Sequence, residues 1–492
     1  MGTLHNMLDP WKPAELEKIH QASLDILECV GVWVDSDDVL NILEGSQAGV
    51  DREKKIVKFP AAMVQARMRN APGSWDRAPG SPVGYSVSAD CGAYNVWDYA
   101  TGCPRPTSVR DYVDAPRLVQ SLEYIDAAGN LVYSADVPAA VGDMIAYRHM
   151  WTHTQKKGGG GLGRSPSCCH ALLPRSFDYL CQMLEVKIGK EKMHTDPEFS
   201  FFMGSASPLR FGGDVLTMAL HTVERGQVVG IGGNCNCGVQ SPITAASNIA
   251  IDHAERLAGL CIVTSIDPDA KFYFCNHTYF LDMRSADIAS GSPEQTLQAL
   301  LGKKVLEHCG FQLVVNHPVM DVGAHAPDGQ AAAEKMMYAL LTALGGASGI
   351  GGAGQLKEDF CYEQLVIDNE IAGYVKHLIK GADITDETIA LTTIRERGIG
   401  AHFLDCETTL LHLREAYYAP TLFYRKRKSE WLREGAKDLL VRAHERAGAL
   451  LSRDTPVFLT DDQMRLMDEI IVEACAELTD GWDPRPYLQW ES

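Results

Sequence analysis

From Glu15 to Val30 the apolar positions Leu16, Ile19, Ile26, Leu27 and Val30 recur at helical spacing, and Gly31 stands where a glycine would close the helix. A short mixed stretch follows as far as Pro72. Pro72, Pro79, Pro82 and several glycines then mark a boundary before YSVSADCGAYNVWDYATG, where alternation around Tyr94, Val96 and Asp98 predicts a hairpin. Between about Pro106 and Lys380 a strand-then-helix rhythm repeats without a fixed sequence repeat. The strands are expected at Ala127 to Tyr133, Gly159 to Leu162, Phe199 to Met203, Val228 to Ile231, Lys271 to Cys275, Gln312 to Val315 and Ala347 to Ile350. Seven or eight such units in this space fit an α/β fold of the (β/α)8 TIM-barrel kind better than an open sheet. Beyond Asp405 the pattern is helical and charged, over Ser429 to Leu451 and again over Asp461 to Leu478. The expected organisation is an N-terminal α/β cap over 1–75, a catalytic barrel over 76–400 and a C-terminal helical extension over 401–492.

The stretch Gln312 to Gln330, QLVVNHPVMDVGAHAPDGQ, carries the most chemistry. An apolar strand runs into a loop holding His317, Asp321, His325 and Asp328, and the helical pattern Ala331 to Leu344 follows. The loop therefore lies at the C-terminal end of a strand, where α/β enzymes place their reactive groups. Asp328, just before Gly329, suits an N-cap. Other polar or glycine-rich loops expected at the same mouth are Gly158 to Ser165, Met203 to Leu209, Gly232 to Thr244, Cys275 to Arg284 and Gly351 to Gln364. None combines G-x-G-x-x-G with a ribose-binding acid, and none has a P-loop lysine. Close approach of backbone to a ligand or docked protein is the simpler use of these glycines.

Composition bounds the function. A chain of 492 residues with 46% hydrophobic content can bury a large core, and its 64 acidic against 45 basic residues give a net charge of −19. That balance argues against nucleic-acid or anionic-membrane partners and favours cationic ligands. No apolar run approaches the ~20 residues of a membrane span, and the N-terminus lacks a basic n-region and an apolar h-region. A cytoplasmic protein is expected. The 14 cysteines, scattered through apolar segments, read as reduced core thiols. Cys235 and Cys237, with the separate cluster Cys168, Cys169 and His170, could instead contribute to a zinc site, although C-x-C without a second spaced pair is a weak metal signal. No resident metal is expected.

Four separated blocks carry a family resemblance: IHQASLDILECVGV (Ile19 to Val32), SPITAASNIAIDHAERLAGL (Ser241 to Leu260), AHAPDGQAAAEK (Ala324 to Lys335) and YEQLVIDNEIAGYV (Tyr362 to Val375). In this order they make the chain resemble the trimethylamine methyltransferase family over almost its whole length. The resemblance implies a (β/α)8 barrel that moves a methyl group from an amine to the Co(I) centre of a separate corrinoid protein, with no tightly bound cofactor of its own. It also implies a departure. Family members acting on trimethylamine carry pyrrolysine in this loop, and GAHAPD places His325 there. An imine can capture a tertiary amine through its lone pair, whereas a quaternary ammonium has no lone pair and already has a neutral amine to release. The expected substrate is therefore a quaternary amine such as glycine betaine or a related betaine.

Such a substrate needs orientation and a match to charge. A fixed ammonium head favours aromatic faces, each worth about 0.5–2 kcal/mol, and Tyr94, Trp97, Tyr279 and Phe360 are the expected cage. A betaine carboxylate needs donors, with His325 the first choice and Asn276, His277 and Arg284 as alternatives. Methyl transfer moves no proton, so His325 positions rather than acting as acid or base. Glu363 is expected to face the site, and Asn234 and Gln355 to face the corrinoid. The competing readings are a zinc-dependent thiol or corrinoid methyltransferase and a non-catalytic betaine-binding barrel. A homo-oligomer completes the expected assembly, alongside the corrinoid protein.

Overall fold

The computed structural model describes residues 7–71, 85–156, 160–161, 172–195, 199–275, 277–311 and 319–488. The expected strand Gln312 to Val315, His317, Asn276, Cys168, Cys169 and His170 lie outside the described residues.

Two arcs of parallel strands form the centre. In one, Val228–Gly233 lies between Phe199–Ser205 and Phe272–Phe274, with Gly160–Gly161 on the far side of Phe199–Ser205. In the other, Ser86–Ala89 lies between Ala127–Ala128 and Gly349–Ile350, and Val319 makes a parallel bridge to Gly351. Five of the seven central strands expected from the sequence lie wholly within the described residues and Gly159 to Leu162 lies partly within them, and each of these six contains or overlaps one of these segments. Among the described residues, no ladder joins the arcs into a closed barrel, so the observed fold is a mixed α/β arrangement of two parallel arcs under helices.

Alternation sets the two faces of the first arc. Met203, Ile231, Phe272 and Phe274 point into one apolar core with Leu257, Ala258, Leu260 and Cys261 of the helix Ala245–Ile266. Gly259 on that helix makes the approach possible, because a Cβ there would meet Ile231 Cγ2 at 2.4 Å and Met203 Cε at 3.0 Å. The opposite face is left with Phe202, Gly204, Gly230, Gly232, Tyr273 and Cys275. In the second arc Val87, Ala89 and Ile350 pack into another core, completed by Ala443, Ala447 and Leu450 of Leu439–Leu451 and by Met467, Ile471 and Ala474 of Asp461–Leu478. Arg148 on Ala139–His153 pairs with Asp468 at 2.8 Å, fixing the last long helix to the central part of the chain.

The N-terminal pattern becomes an α-helix, Pro13–Asp25, that passes into a π-helical turn, Ile26–Val30, before Gly31. Its sheet, Val32–Val34 with Ile56–Lys58 and Gly49–Asp51, is antiparallel, and Arg210–Phe211 adds to it in parallel from the central part of the chain. The expected hairpin is Asn95–Asp98 against Cys103–Pro106, and Asp359–Phe360 extends it.

The expected helix Ser429 to Leu451 is two helices, Lys428–Arg433 and Leu439–Leu451. Gly435 and Ala436 take left-handed backbone (φ +94° and +52°), which ends the first, and the Asp438 carboxylate caps the second by accepting from Val441 N at 2.9 Å. Asp328 caps Gly329–Leu344 as expected, accepting from Gln330 N at 2.8 Å. Between the core helices, Asp386–Ile389, Leu391–Arg397 and Glu407–Ala416 bury none of their residues, and Ile384, Ile399, Leu404, Leu410 and Leu411 are exposed. No described helix is long and apolar enough to cross a membrane.

Replacing Gly259 by Val should force the helix Ala245–Ile266 off its strands. Overpacking of this kind costs about 1–3 kcal/mol, to be read as a lowered urea midpoint with unchanged slope.

Candidate functional site

The inner face of the first arc is built from aromatic rings laid over glycines. Parallel register puts Phe202, Gly230 and Tyr273 in one row, and Gly204 and Gly232 in the next towards the strands' C-terminal ends. A Cβ on Gly230 would fall 2.8 Å from the Tyr273 ring, and one on Gly204 2.6 Å from the Phe202 ring. The other edge of the Phe202 ring lies 3.0 Å from where a Cβ of Gly232 would stand. Side chains in that row would push the rings away, so the glycines are what allow the aromatic faces to lie flat at the mouth. His277 meets Phe202 edge-to-face with centroids 5.3 Å apart. Burial, with a smaller push from the Arg256 guanidinium, lowers the His277 pKa to about 4, which keeps the ring uncharged at neutral pH.

Tyr279 links this arc to the second. Its hydroxyl donates to Asp321 Oδ2 at 2.9 Å, and Gln295 Nε2 donates to the same oxygen at 3.1 Å. Burial raises the Asp321 carboxyl above the usual range, opposed by these two donors. Burial and then the neighbouring Asp321 charge push the Tyr279 hydroxyl up in turn.

Beyond Asp321 a glycine loop is clamped by charge. Lys335 and Asp368 are both fully buried and pair at 2.7 Å. Lys335 Nζ also donates to Gly352 O at 3.0 Å, while Asp368 accepts from Gly354 N at 2.7 Å and from Gln364 Nε2 at 2.8 Å. Asp90, at the end of Ser86–Ala89, accepts from Gly352 N at 2.6 Å and from Ser88 Oγ at 3.1 Å. Gly352 and Gly354 have φ +79° and +87°, a conformation that side chains resist, so the loop 351–354 turns tightly enough to offer its amides to the two carboxylates. Behind the first arc Glu255 holds the turn after Phe199–Ser205, accepting from Ser205 Oγ at 2.6 Å, Ser207 Oγ at 2.8 Å and Leu209 N at 2.6 Å.

Of the residues named from sequence, His277 stands on this face, and Tyr279 follows it on the strand Tyr279–Asp282, bonded to Asp321. Trp97 packs on Val322, Ala324, Leu356 and Cys361, and so against the loop that carries His325. His325 itself is exposed, near enough to the Asp287 and Asp359 carboxylates to lower both of their pKa values or oppose their rise. Lys357, ion-paired to Asp287, supplies a cation in the same neighbourhood. Gln355 is half-buried in the glycine loop, its backbone N–H donating to Gly352 O at 3.1 Å, and Asn234 is exposed after Val228–Gly233.

Four residues are placed differently from expectation. Phe360 is fully buried, edge-on to Tyr362 at 5.0 Å, because its strand pairs with Asn95–Asp98 and turns the ring into the core. Tyr94 leans on Tyr133, with centroids 5.8 Å apart, and packs on the same core. Arg284 is exposed and bonded to its neighbour Asp282 at 2.8 Å, beyond a tight turn that points it outward. Glu363 is buried, but its carboxylate accepts from His444 Nδ1 at 2.7 Å, and that imidazole stacks on Tyr99 with centroids 3.7 Å apart. Its charge is therefore directed at the C-terminal helix Leu439–Leu451. Cys235 and Cys237 are buried and, among the described residues, join no third metal-ligating side chain.

The pattern described for trimethylamine methyltransferase (MTTB) matches residues 3–478 of the chain. The chain belongs to the trimethylamine methyltransferase family. Within that family it is 28% identical over 448 residues to trimethylamine methyltransferase MttB of Methanosarcina thermophila, covering 88% of this chain and 90% of that one. It is 27% identical over 472 residues to MttB of Desulfitobacterium hafniense, covering 93% and 92%, and 24% identical over 454 residues to the glycine betaine methyltransferase of the same species, covering 90% and 92%. The crystal structure of the monomethylamine methyltransferase of Methanosarcina barkeri shares the fold, with a TM-score of 0.50 at 11% identity over 95% of this chain and 92% of that one.

For this family member sequence reading missed Phe202, Tyr273, Asp90 and Lys335. The first two were legible as the inward phase of FSFFMGS and FYF opposite glycines. Asp90 and Lys335 gave no local signal, because their partners lie far away in the chain.

Stability should report the buried imidazole. Above pH 6.5 His277 is neutral both folded and unfolded; as pH falls from 6.5 towards about 4, only the unfolded chain takes up the proton, so stability is lost across that window. His149 and His153, lowered by burial to about 3 and about 4, act with the same sign. Urea midpoints measured through this window should fall less steeply in His277→Gln than in the wild type, by about one proton's worth of slope; identical slopes would contradict it.

Proposed function

We propose that the chain is a methyltransferase that takes a methyl group from a quaternary amine, with glycine betaine or a related betaine the best fit, and delivers it to the Co(I) of a partner corrinoid protein. The observation that carries this reading is the neutral aromatic face at the ends of the first arc, Phe202, Tyr273 and His277 over glycines, with Tyr279 beside it. A fixed positive head gains about 0.5–2 kcal/mol from each aromatic face it covers, and an uncharged His277 does not repel it. The family membership, which includes a relative named for glycine betaine, supports the same class of donor.

In the proposed reaction the N–CH3 bond breaks with its electron pair kept by nitrogen, which leaves as a neutral tertiary amine. The methyl group passes to the Co(I) acceptor, whose electron pair forms the new bond. No proton moves, so the chain's residues bind and orient. Asp321 gives the pocket negative character while Tyr279 and Gln295 hold part of that charge. A freer carboxylate would bind the ammonium more tightly yet oppose its loss of charge in the transition state.

His325 and Lys357 form the proposed receptor for a substrate carboxylate at the rim, with Trp97 beside them and Asn234 and Gln355 facing the corrinoid protein. A carboxylate arriving there also meets Asp287 and Asp359, so the receptor works through local hydrogen bonds more than through net charge. The two arcs are read as parts of one (β/α)8 barrel, supported by the parallel pairing of the last strand, Gly349–Ile350, with the first, Ser86–Ala89. A second copy of the chain is the proposed cover for the exposed apolar residues between Ile384 and Leu413.

Visible spectroscopy of cob(I)alamin mixed with the protein and a panel of amines tests the activity. Betaines should methylate the cobalt and trimethylamine should not; methyl transfer from trimethylamine alone would sink the substrate class. His325→Ala should raise KM for a betaine more than for a quaternary amine without a carboxylate, and an unchanged KM and kcat would remove its role. Light scattering should give at least twice the chain mass, and a monomer after Leu404→Glu with Leu411→Glu; a monomeric wild type would refute self-association.

A further inference from the structure

Away from the aromatic face, three potential ligands from separate helices converge under the N-terminal helix. His20 Nδ1 on Pro13–Asp25 lies 3.1 Å from His253 Nε2 on Ala245–Ile266. Cys309 Sγ, directly after the helix Pro293–His308, lies 3.3 Å from His20 Nδ1 and 3.6 Å from His253 Nε2. His253 is fully buried, His20 is buried and Cys309 is half-buried. The geometry points to a zinc site formed by His20, His253 and Cys309.

The triangle has the dimensions that zinc imposes. With Zn–N near 2.0–2.1 Å and Zn–S near 2.3 Å, tetrahedral angles put two nitrogens about 3.3 Å apart and a nitrogen and a sulfur about 3.5 Å apart. The three edges lie within a few tenths of an ångström of those values. Hydrogen bonding accounts for the cluster less well. The trio can place two protons between its atoms, one on sulfur and one on a single facing nitrogen, and so cannot make three full hydrogen bonds. A single cation contacts all three lone pairs at once, with the thiol proton released to solvent as the thiolate binds. Two imidazoles and a thiolate suit zinc better than calcium or magnesium. The half-exposed side of Cys309 leaves the fourth position open to water or to Glu17, one turn before His20, whose carboxylate accepts from His308 Nε2 at 2.7 Å.

A metal there clips the N-terminal helix to two helices of the central part. Its role is structural, because the ligands stand on the outer side of Ala245–Ile266, away from the aromatic face. The site is independent of the proposed methyl transfer.

Full-length protein reconstituted with zinc and freed of excess metal should retain a single equivalent. Cys309→Ser and His20→Gln should each lose it, while Cys235→Ser keeps it. Cobalt(II) in place of zinc should show a thiolate-to-metal charge-transfer band in the near ultraviolet that Cys309→Ser abolishes. Stripping the metal with a chelator should lower the thermal midpoint of the wild type and leave that of Cys309→Ser unmoved. A wild type that retains no zinc, a cobalt complex without the thiolate band, or zinc lost in Cys235→Ser and kept in Cys309→Ser would each overturn the assignment.

Discussion

The buried pair of Lys335 and Asp368 is the contact on which the mouth of this protein depends. Neither group reaches water, and removing one partner of such a pair costs about 3–5 kcal/mol because the other is left charged and alone. The pair does more than cancel its own charge. Lys335 and Asp368 take opposite ends of the loop 351–354, one bonding a carbonyl and the other an amide, while Asp90 takes a second amide. Three chain segments, after Ser86–Ala89, on Gly329–Leu344 and on Tyr362–Lys380, thereby settle the position of one four-residue turn. The helices are rigid and the turn is glycine-rich, so the polar contacts determine its shape.

The inner face of the first arc follows a different logic. There glycine removes bulk so that aromatic faces can lie across the strands, and burial removes charge from the one imidazole among them. Electrostatics enter from the side, through an Asp321 whose oxygen is shared between Tyr279 and Gln295. A surface of this kind discriminates by shape and polarisability more than by net charge. The chain's overall negative balance is therefore a weak guide to it.

Much of the fold was legible in the sequence because periodicity reports which side of an element is wet. The strands Phe199–Ser205, Val228–Gly233 and Phe272–Phe274 and the helices Gly329–Leu344 and Asp461–Leu478 all followed from apolar spacing and caps. The break at Gly435 and Ala436 did not, since two residues of left-handed backbone interrupt an unchanged apolar pattern. The site was less legible. Tyr279 and His277 stand out in the sequence because they follow a strand, whereas Phe360 is buried in the core, and an aromatic in a short strand reads the same whether it faces a ligand or a core. Glu363 was expected to face the site, yet its carboxylate meets His444, 81 residues away in the chain. Sequence order carries no record of that distance.

The parallel addition of Arg210–Phe211 to the N-terminal sheet has a consequence for how the protein is made. Trp33 and Val34 gain their second, parallel neighbour only when residues 210 and 211 have been synthesised, and Ser86 and Val87 wait for residues 349 and 350. Pairings this remote in sequence carry a large loop-closure cost before any contact rewards them. The nascent chain therefore holds open strand edges through most of its synthesis. Those edges are templates for mispairing with other chains, so the expression yield of this protein depends on how well they are shielded until its last third emerges.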